Sequence, residues 1–315
     1  MKAQPDTRID PWRYALDAVD EGKPTTLVMV VEHSGSVPGV TGTFVVVTAD
    51  GQSGTVGGGV AEHEIVEEAR AHQAPPVLRE FVHTEDGDGT LCNGAQLFSV
   101  VPLGRSDRDT LQEIVETLRN GRIGALELGP HGMGFSEGSE GEPRFSRHDN
   151  DWRFTHPIGL RDRLTIVGGG HVALALSRIM ATLPFRITVI DNRDGLETME
   201  ENHFAHRFEV VDYDEIDAHI PQGEHSWVVV MTHGHTHDRE VTERLLDLDL
   251  RYLGLMGSKS KVRTFFSRMT ESGCDPAALA RLRTPIGVPI GSHTPEEIAV
   301  SIAAEIIGIR NGALD

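Results

Sequence analysis

Leu164-Thr165-Ile166-Val167 runs directly into Gly168-Gly169-Gly170-His171-Val172-Ala173. The glycines and Ala173 fit the pattern G-x-G-x-x-G/A, in which the first glycine permits a tight turn and the second lets backbone approach a pyrophosphate. The small last residue packs helix on strand. A short β-branched run before the glycines predicts a strand, and Val172, Leu176, Ile179, Met180 and Leu183 predict the apolar face of a helix after them. The next predicted strand ends in Asp191, 23 residues after Gly168. A carboxylate at that spacing accepts hydrogen bonds from ribose hydroxyls and repels a 2′-phosphate, so an NAD-like or other adenosine-bearing ligand is expected over NADP. The helix N-terminus at Gly170 and His171 offers free N–H groups and positive dipole to phosphates.

The same strand-helix alternation continues outward. Strands are expected at 163–167, 186–191, 207–211, 226–232 and 251–255, with helices at 171–183, 237–247, 259–271 and 295–310. Short apolar strands of this kind are covered by helices on both faces. The region from 160 to 315 therefore reads as a Rossmann-like, doubly wound parallel α/β domain. Residues 1–150 read as a smaller α+β domain. It has a helix started by Asp10-Pro11, strands at 25–32, 43–48, 77–83 and 95–103, and helices at 60–72 and 107–119. Residues 129–150 are rich in glycine and charge and are expected to be loop-rich, with the domain boundary between 130 and 160.

Further candidate groups fall at strand ends. Met256-Gly257-Ser258-Lys259-Ser260-Lys261 carries half of the chain's four lysines. Gly257, Ser258 and Lys259 there could contact an anion; a capped helix with solvated lysines is the plainer alternative. Thr232-His233-Gly234-His235-Thr236-His237-Asp238 groups three imidazoles and a carboxylate. No metal is expected in it; ligand contact through Thr232, His233 and His235 is, against the alternatives of a solvated loop or a metal site. In the first half, Gly57-Gly58-Gly59 precedes a helix with Glu62 in its first turn. That is an anion seat or, equally, ordinary helix capping. Cys92, in Leu91-Cys92-Asn93-Gly94, is the thiol placed for exposure, unless it merely fills a turn.

Composition excludes several classes. Forty-eight acidic against 29 basic residues give a net charge of −19, which disfavours nucleic acid. No apolar run is long enough to span a membrane, and Met1 to Asp6 lacks the apolar core of a signal peptide, so a cytoplasmic protein is expected. Two cysteines, Cys92 and Cys274, exclude a disulfide scaffold and a Cys₄ zinc site. No G-x-S-x-G, H-E-x-x-H or C-x-x-C pattern is present.

Taken in order, these segments resemble the XdhC/CoxI family of xanthine dehydrogenase accessory factors. The resemblance lies in Gly35-Ser36-Val37-Pro38 with Gly42, in Gly54 to Glu62, in Cys92-Asn93-Gly94, in Val167 to Ala173, in Thr232 to His235 with Asp238, and in Tyr252 to Ser258. Most of all it lies in Pro285-Ile286-Gly287 and Thr294 through Gly312. The chain departs from the family where Gly39 stands in place of an arginine and Val60 in place of a frequent cysteine. The resemblance implies an accessory protein rather than an enzyme in its own right. Such a protein binds the molybdenum cofactor (molybdopterin), aids its sulfuration and delivers it to a molybdenum hydroxylase client. It also implies a cysteine desulfurase as a second partner, and a homodimer as the expected state by fold analogy. The implied cofactor-contacting residues are Gly57, Gly58, Gly59, Glu62, Cys92, Gly168, Gly170, His171, Asp191, Thr232, His233, His235, Gly257, Ser258 and Lys259, with Cys92 near the metal end. Two other functions stay open on the residues alone. One is an NAD-dependent oxidoreductase with His233 or His235 as acid-base group; the other is a hydrolase with metal on His233, His235 and His237.

Overall fold

The computed structural model describes residues 9–71, 75–83, 93–138, 142–149, 151–257, 265–267, 269, 271 and 275–314, the His235 side chain excepted. The chain divides into two compact units, Pro5–Gly159 and Leu160–Asp315.

The first unit is built on a five-stranded antiparallel sheet. In chain order its strands are β1 (Thr25–Gly35), β2 (Phe44–Thr48), β3 (Gln52–Thr55), β4 (Val77–His83) and β5 (Gly94–Leu103), arranged β3-β2-β1-β5-β4. Residues Thr25 to Val31 of β1 are all buried because both faces of the sheet are covered. Leu27, Met29 and Val31 face the core shared with helices α1 (Asp10–Asp20) and α3 (Arg108–Arg119). Val28 and Val30 face the core under helix α2 (Gly59–Ala71). A second, four-stranded sheet follows, from β6 (Gly124–Gly129), β7 (Gly132–Glu137), β8 (Arg144–His148) and β9 (Asp151–Ile158), in the order β7-β6-β9-β8. The segment expected to be loop-rich thus carries β7 and β8. Both are edge strands with few buried positions, which is why their apolar content is too low to announce them.

The second unit holds a six-stranded parallel sheet. Its strands are β10 (Asp162–Val167), β11 (Phe185–Asp191), β12 (Arg207–Val210), β13 (Gly223–Val230), β14 (Leu250–Leu255) and β15 (Leu282–Arg283). Their order, β12-β11-β10-β13-β14-β15, reverses direction between β10 and β13, and ligands of such sheets bind above the strand ends at that switch point. Helices α4 (His171–Met180), α5 (Glu197–Glu200), α6 (His235–Leu245), α7 (Pro276–Arg281) and α8 (Pro295–Arg310) connect and cover it. Along β13, Trp227 and Val229 enter the core that includes Leu176, Met180, Ile302 and Ile306. Val228 and Val230 enter the opposite core with Val241 and Leu245. Thr294 and Glu297 form a reciprocal capping box at the start of α8, with Pro295 in the first turn. At the far end of α8, Arg310 donates from Nε to Asp162 at 2.7 Å, tying the last helix to the first strand of the unit. Among the described residues no helix is long and apolar enough to cross a membrane.

Candidate functional site

The switch point brings the glycine loop and the Thr232 loop together. Gly168 sits at φ 112°, and a Cβ there would lie 2.3 Å from the Met231 carbonyl oxygen. Only glycine permits that approach. Gly169 is covered on its far side: a Cβ would meet Met199 at 2.7 Å and Leu196 at 3.2 Å. Gly170 is different, because a Cβ there would meet nothing within 4 Å among the described residues. It is the N-cap of α4 and, among the described residues, no side chain caps that helix. Ala173 is 1% exposed, packed between helix and sheet. The three glycine or alanine positions of the fingerprint therefore do three separate things: tight turn, open approach and packing. His171, the next residue, is exposed at the first position of the helix.

Asp191, at the end of β11, is fully buried. Its Oδ1 accepts from the Arg193 backbone N–H at 3.0 Å and from Arg193 Nε at 2.8 Å. Oδ2 accepts from Arg193 Nη2 at 2.9 Å and from the Gly169 N–H at 2.7 Å. Burial pushes this carboxyl up, but Arg193 and the Gly169 amide outweigh burial and hold it below the ordinary carboxylate range. Beyond β12, Tyr213 is buried, and burial with the nearby Asp191 charge raises its hydroxyl above the usual range.

Thr232 closes β13's loop onto the following helix. Its Oγ1 donates to Asp238 Oδ1 at 2.7 Å and its N–H donates to the same oxygen at 3.1 Å. His233 is exposed, with its ring centroid 4.8 Å from that of His237, whose ring contacts Tyr213 at 5.5 Å. Among the described residues no group of three His, Cys, Asp or Glu side chains could hold a metal ion. His235 begins α6, and its side chain lies outside the described residues. Gly257 is half-buried after β14; Ser258 and Lys259 lie outside the described residues, as does Cys92.

In the first unit, Gly57, Gly58 and Gly59 all take positive φ, at 121°, 79° and 72°. Glu62 turns back over them. Its Oε2 accepts from the Thr55 hydroxyl at 2.5 Å, the Val56 N–H at 2.8 Å and the Gly58 N–H at 2.9 Å. Burial works against the Glu62 charge, but the Thr55 hydroxyl and the Gly58, Val56 and Gly57 amides keep it ionised to lower pH than usual. Two of the amides that an incoming anion would use already face a carboxylate. Gly39 lies directly on this turn: a Cβ would stand 1.8 Å from the Val56 carbonyl oxygen. A side chain at position 39 is thus excluded by backbone in this turn. Val60 is exposed at the start of α2. Sequence reasoning picked out Asp191 and Glu62 but not Arg193, Tyr213 or the Thr55 hydroxyl beside them. Arg193, two residues past Asp191, was a readable hint; Tyr213 gave no sign of its burial.

Comparison with known proteins bears on both units. Residues 164–306 match the model of the XdhC Rossmann domain, and residues 18–81 match that of the XdhC and CoxI family. A protein of Bacillus subtilis strain 168, described as a probable component of xanthine dehydrogenase, is 30% identical over 168 residues, covering 53% of this chain and 48% of that protein. YqeB, an uncharacterized protein of Escherichia coli strain K12, is 26% identical over 298 residues, covering 93% of this chain and 45% of YqeB. The chain thus matches about half the length of these curated relatives. A solved structure described as a xanthine dehydrogenase from Bacillus halodurans shares the fold, with a TM-score of 0.75 at 22% identity, over 97% of this chain and 96% of that one. With one family model matched in each unit, and the glycine loop formed as its fingerprint requires, the chain belongs to the XdhC and CoxI family.

Proposed function

We propose that this protein is an accessory factor for a xanthine dehydrogenase-type molybdenum hydroxylase, and that it binds the molybdenum cofactor for maturation and transfer to that client. The observation that carries the reading is the open position at Gly170, in a chain whose family and relatives point to xanthine dehydrogenase. A phosphate fits there: the N-terminal amides of α4 lack a side-chain cap among the described residues, and no Cβ blocks the approach. When bound, the cofactor supplies a pterin, a phosphate and the molybdenum centre. This chain's residues hold the phosphate at Gly170 and His171. The Gly57–Gly59 turn does not fit an anion while Glu62 occupies its amides, so that loop serves shape rather than charge. A cysteine desulfurase as second partner and a homodimer belong to the same proposal.

The test is retention of molybdopterin by the full chain after gel filtration, followed by its pterin fluorescence. Wild-type protein should retain the cofactor and activate a cofactor-free xanthine dehydrogenase-type client. Gly170→Val, allowed by the extended backbone there (φ −76°, ψ −171°), should keep the melting temperature and weaken retention at least tenfold. Wild-type retention no greater than that of an unrelated protein would remove the reading.

A further inference from the structure

The dinucleotide fingerprint predicts that Asp191 receives a ribose diol, yet its acceptor positions are filled from within the chain. A carboxylate offers about four in-plane lone-pair positions. Arg193 takes three of those of Asp191, through its backbone N–H, Nε and Nη2, and the Gly169 N–H takes the fourth. A ribose hydroxyl arriving at this fully buried carboxylate finds no free acceptor. The Arg193 side chain itself is 37% exposed, and its Nη1 makes no hydrogen bond among the described residues. Its charge neutralises the carboxylate that would otherwise repel a phosphate.

A second observation lies beside this pair. Tyr213 is 3% exposed, and its hydroxyl lies beside the Asn192 backbone amide without a well-aligned hydrogen bond. The Asn192 Oδ1, between the two members of the pair, is buried and has no hydrogen-bond partner among the described residues. Buried polar atoms in native proteins are nearly always paired, so the unpaired Asn192 oxygen just past β11 points to a ligand atom or water there. The phosphate end of the crevice, at Gly170, is open.

We infer that Arg193 determines the ligand specificity of this crevice. By holding the ribose-binding carboxylate shut, it selects phosphorylated ligands that present no free ribose diol there, and it accepts a phosphate where an NAD-type site rejects one. The inference rests on the crevice alone and does not depend on which cofactor the protein carries.

NADH and NADPH are the probes, titrated by nucleotide fluorescence against the full chain. Wild-type protein should bind NADH no tighter than NADPH. Arg193→Ala should bind NADH at least tenfold tighter than wild type and should lose affinity for NADPH, inverting the ratio. Adding Asp191→Asn to that variant should cancel the NADH gain. Arg193→Gln, which keeps a donor for the buried carboxylate, should shift the ratio the same way by a smaller factor, and gives the answer if the alanine variant does not fold. A wild-type preference for NADH of tenfold or more overturns the inference. So does unchanged NADH affinity in a folded variant, including no binding in either protein. Molybdopterin retention on the same preparations reports separately on the accessory-factor reading.

Discussion

The tetrapeptide Val-Gly-Gly-Gly occurs twice in this chain, at Val56–Gly59 and at Val167–Gly170, each time between a strand and a helix. The third glycine of each copy leaves open space for a Cβ, but the amides of the two turns meet different fates. Three residues past the last glycine, the first copy has Glu62, which folds back and takes the Val56 and Gly58 amides. The second copy has Ala173 there, which is buried and leaves Gly170 open. A glycine-rich turn before a helix supplies amides in either case; the residue one turn onward decides whether a ligand can reach them.

The contrast is sharpest at the glycines pressed against backbone. Gly168→Ala and Gly57→Ala should each cost on the order of 3 kcal/mol in chemical denaturation of the full chain. The positive φ of each is unfavourable for alanine, and the new Cβ would stand 2.3 Å from Met231 oxygen or 2.4 Å from Gly39 nitrogen. A cost below about 1 kcal/mol at either site would mean that the turn relaxes and that close packing is not why glycine stands there.

Glu62→Ala should cost about 2 kcal/mol, because it strips a charged acceptor from the Thr55 hydroxyl and two amides. Glu62→Gln should cost less and should flatten the acid limb of stability. The sign follows from the lowered folded pKa: the contribution is present above the ordinary carboxylate range and is lost as pH falls through the folded value. A variant with the wild-type acid limb would separate Glu62 from that loop's stability. It would also revive the Gly57–Gly59 turn as an anion seat.

Helix starts extend the comparison. Thr294→Ala removes a capping side chain from α8 and should cost about 1 kcal/mol. Gly170→Ala removes none from α4 and adds a methyl to open space, so it should stay within about 0.5 kcal/mol of wild type. If the second variant proved the more damaging, Gly170 would be serving the fold rather than a ligand.

What could be read beforehand was what local spacing decides. Gly168, Gly170 and Ala173 announced their separate positions, and Thr294, Pro295 and Glu297 announced a capped helix, because each depends on neighbours within one turn. The strands of the second unit were legible because burial on both faces makes them continuous apolar runs. β6 and β9 went unread; in β9, Trp152 and Phe154 alternate with exposed Asp151 and Arg153 in a short stretch that follows the glycine-rich segment. Arg193 was in plain view, but spacing does not say that a side chain will fold back on the acid two residues before it. The burial of Tyr213 depends on residues from several strands, and no local pattern encodes it.

The ion pair between Asp162 and Arg310 has a consequence for engineering. It pins positions 162 and 310, 148 residues apart, within one hydrogen bond of each other. The second unit is therefore a closed circuit whose entry and exit share a single corner. A short bridge across that corner, with new ends cut in an exposed loop, should yield a circular permutant that keeps its parallel sheet. The same corner makes the unit suitable for insertion into a host loop as a cassette.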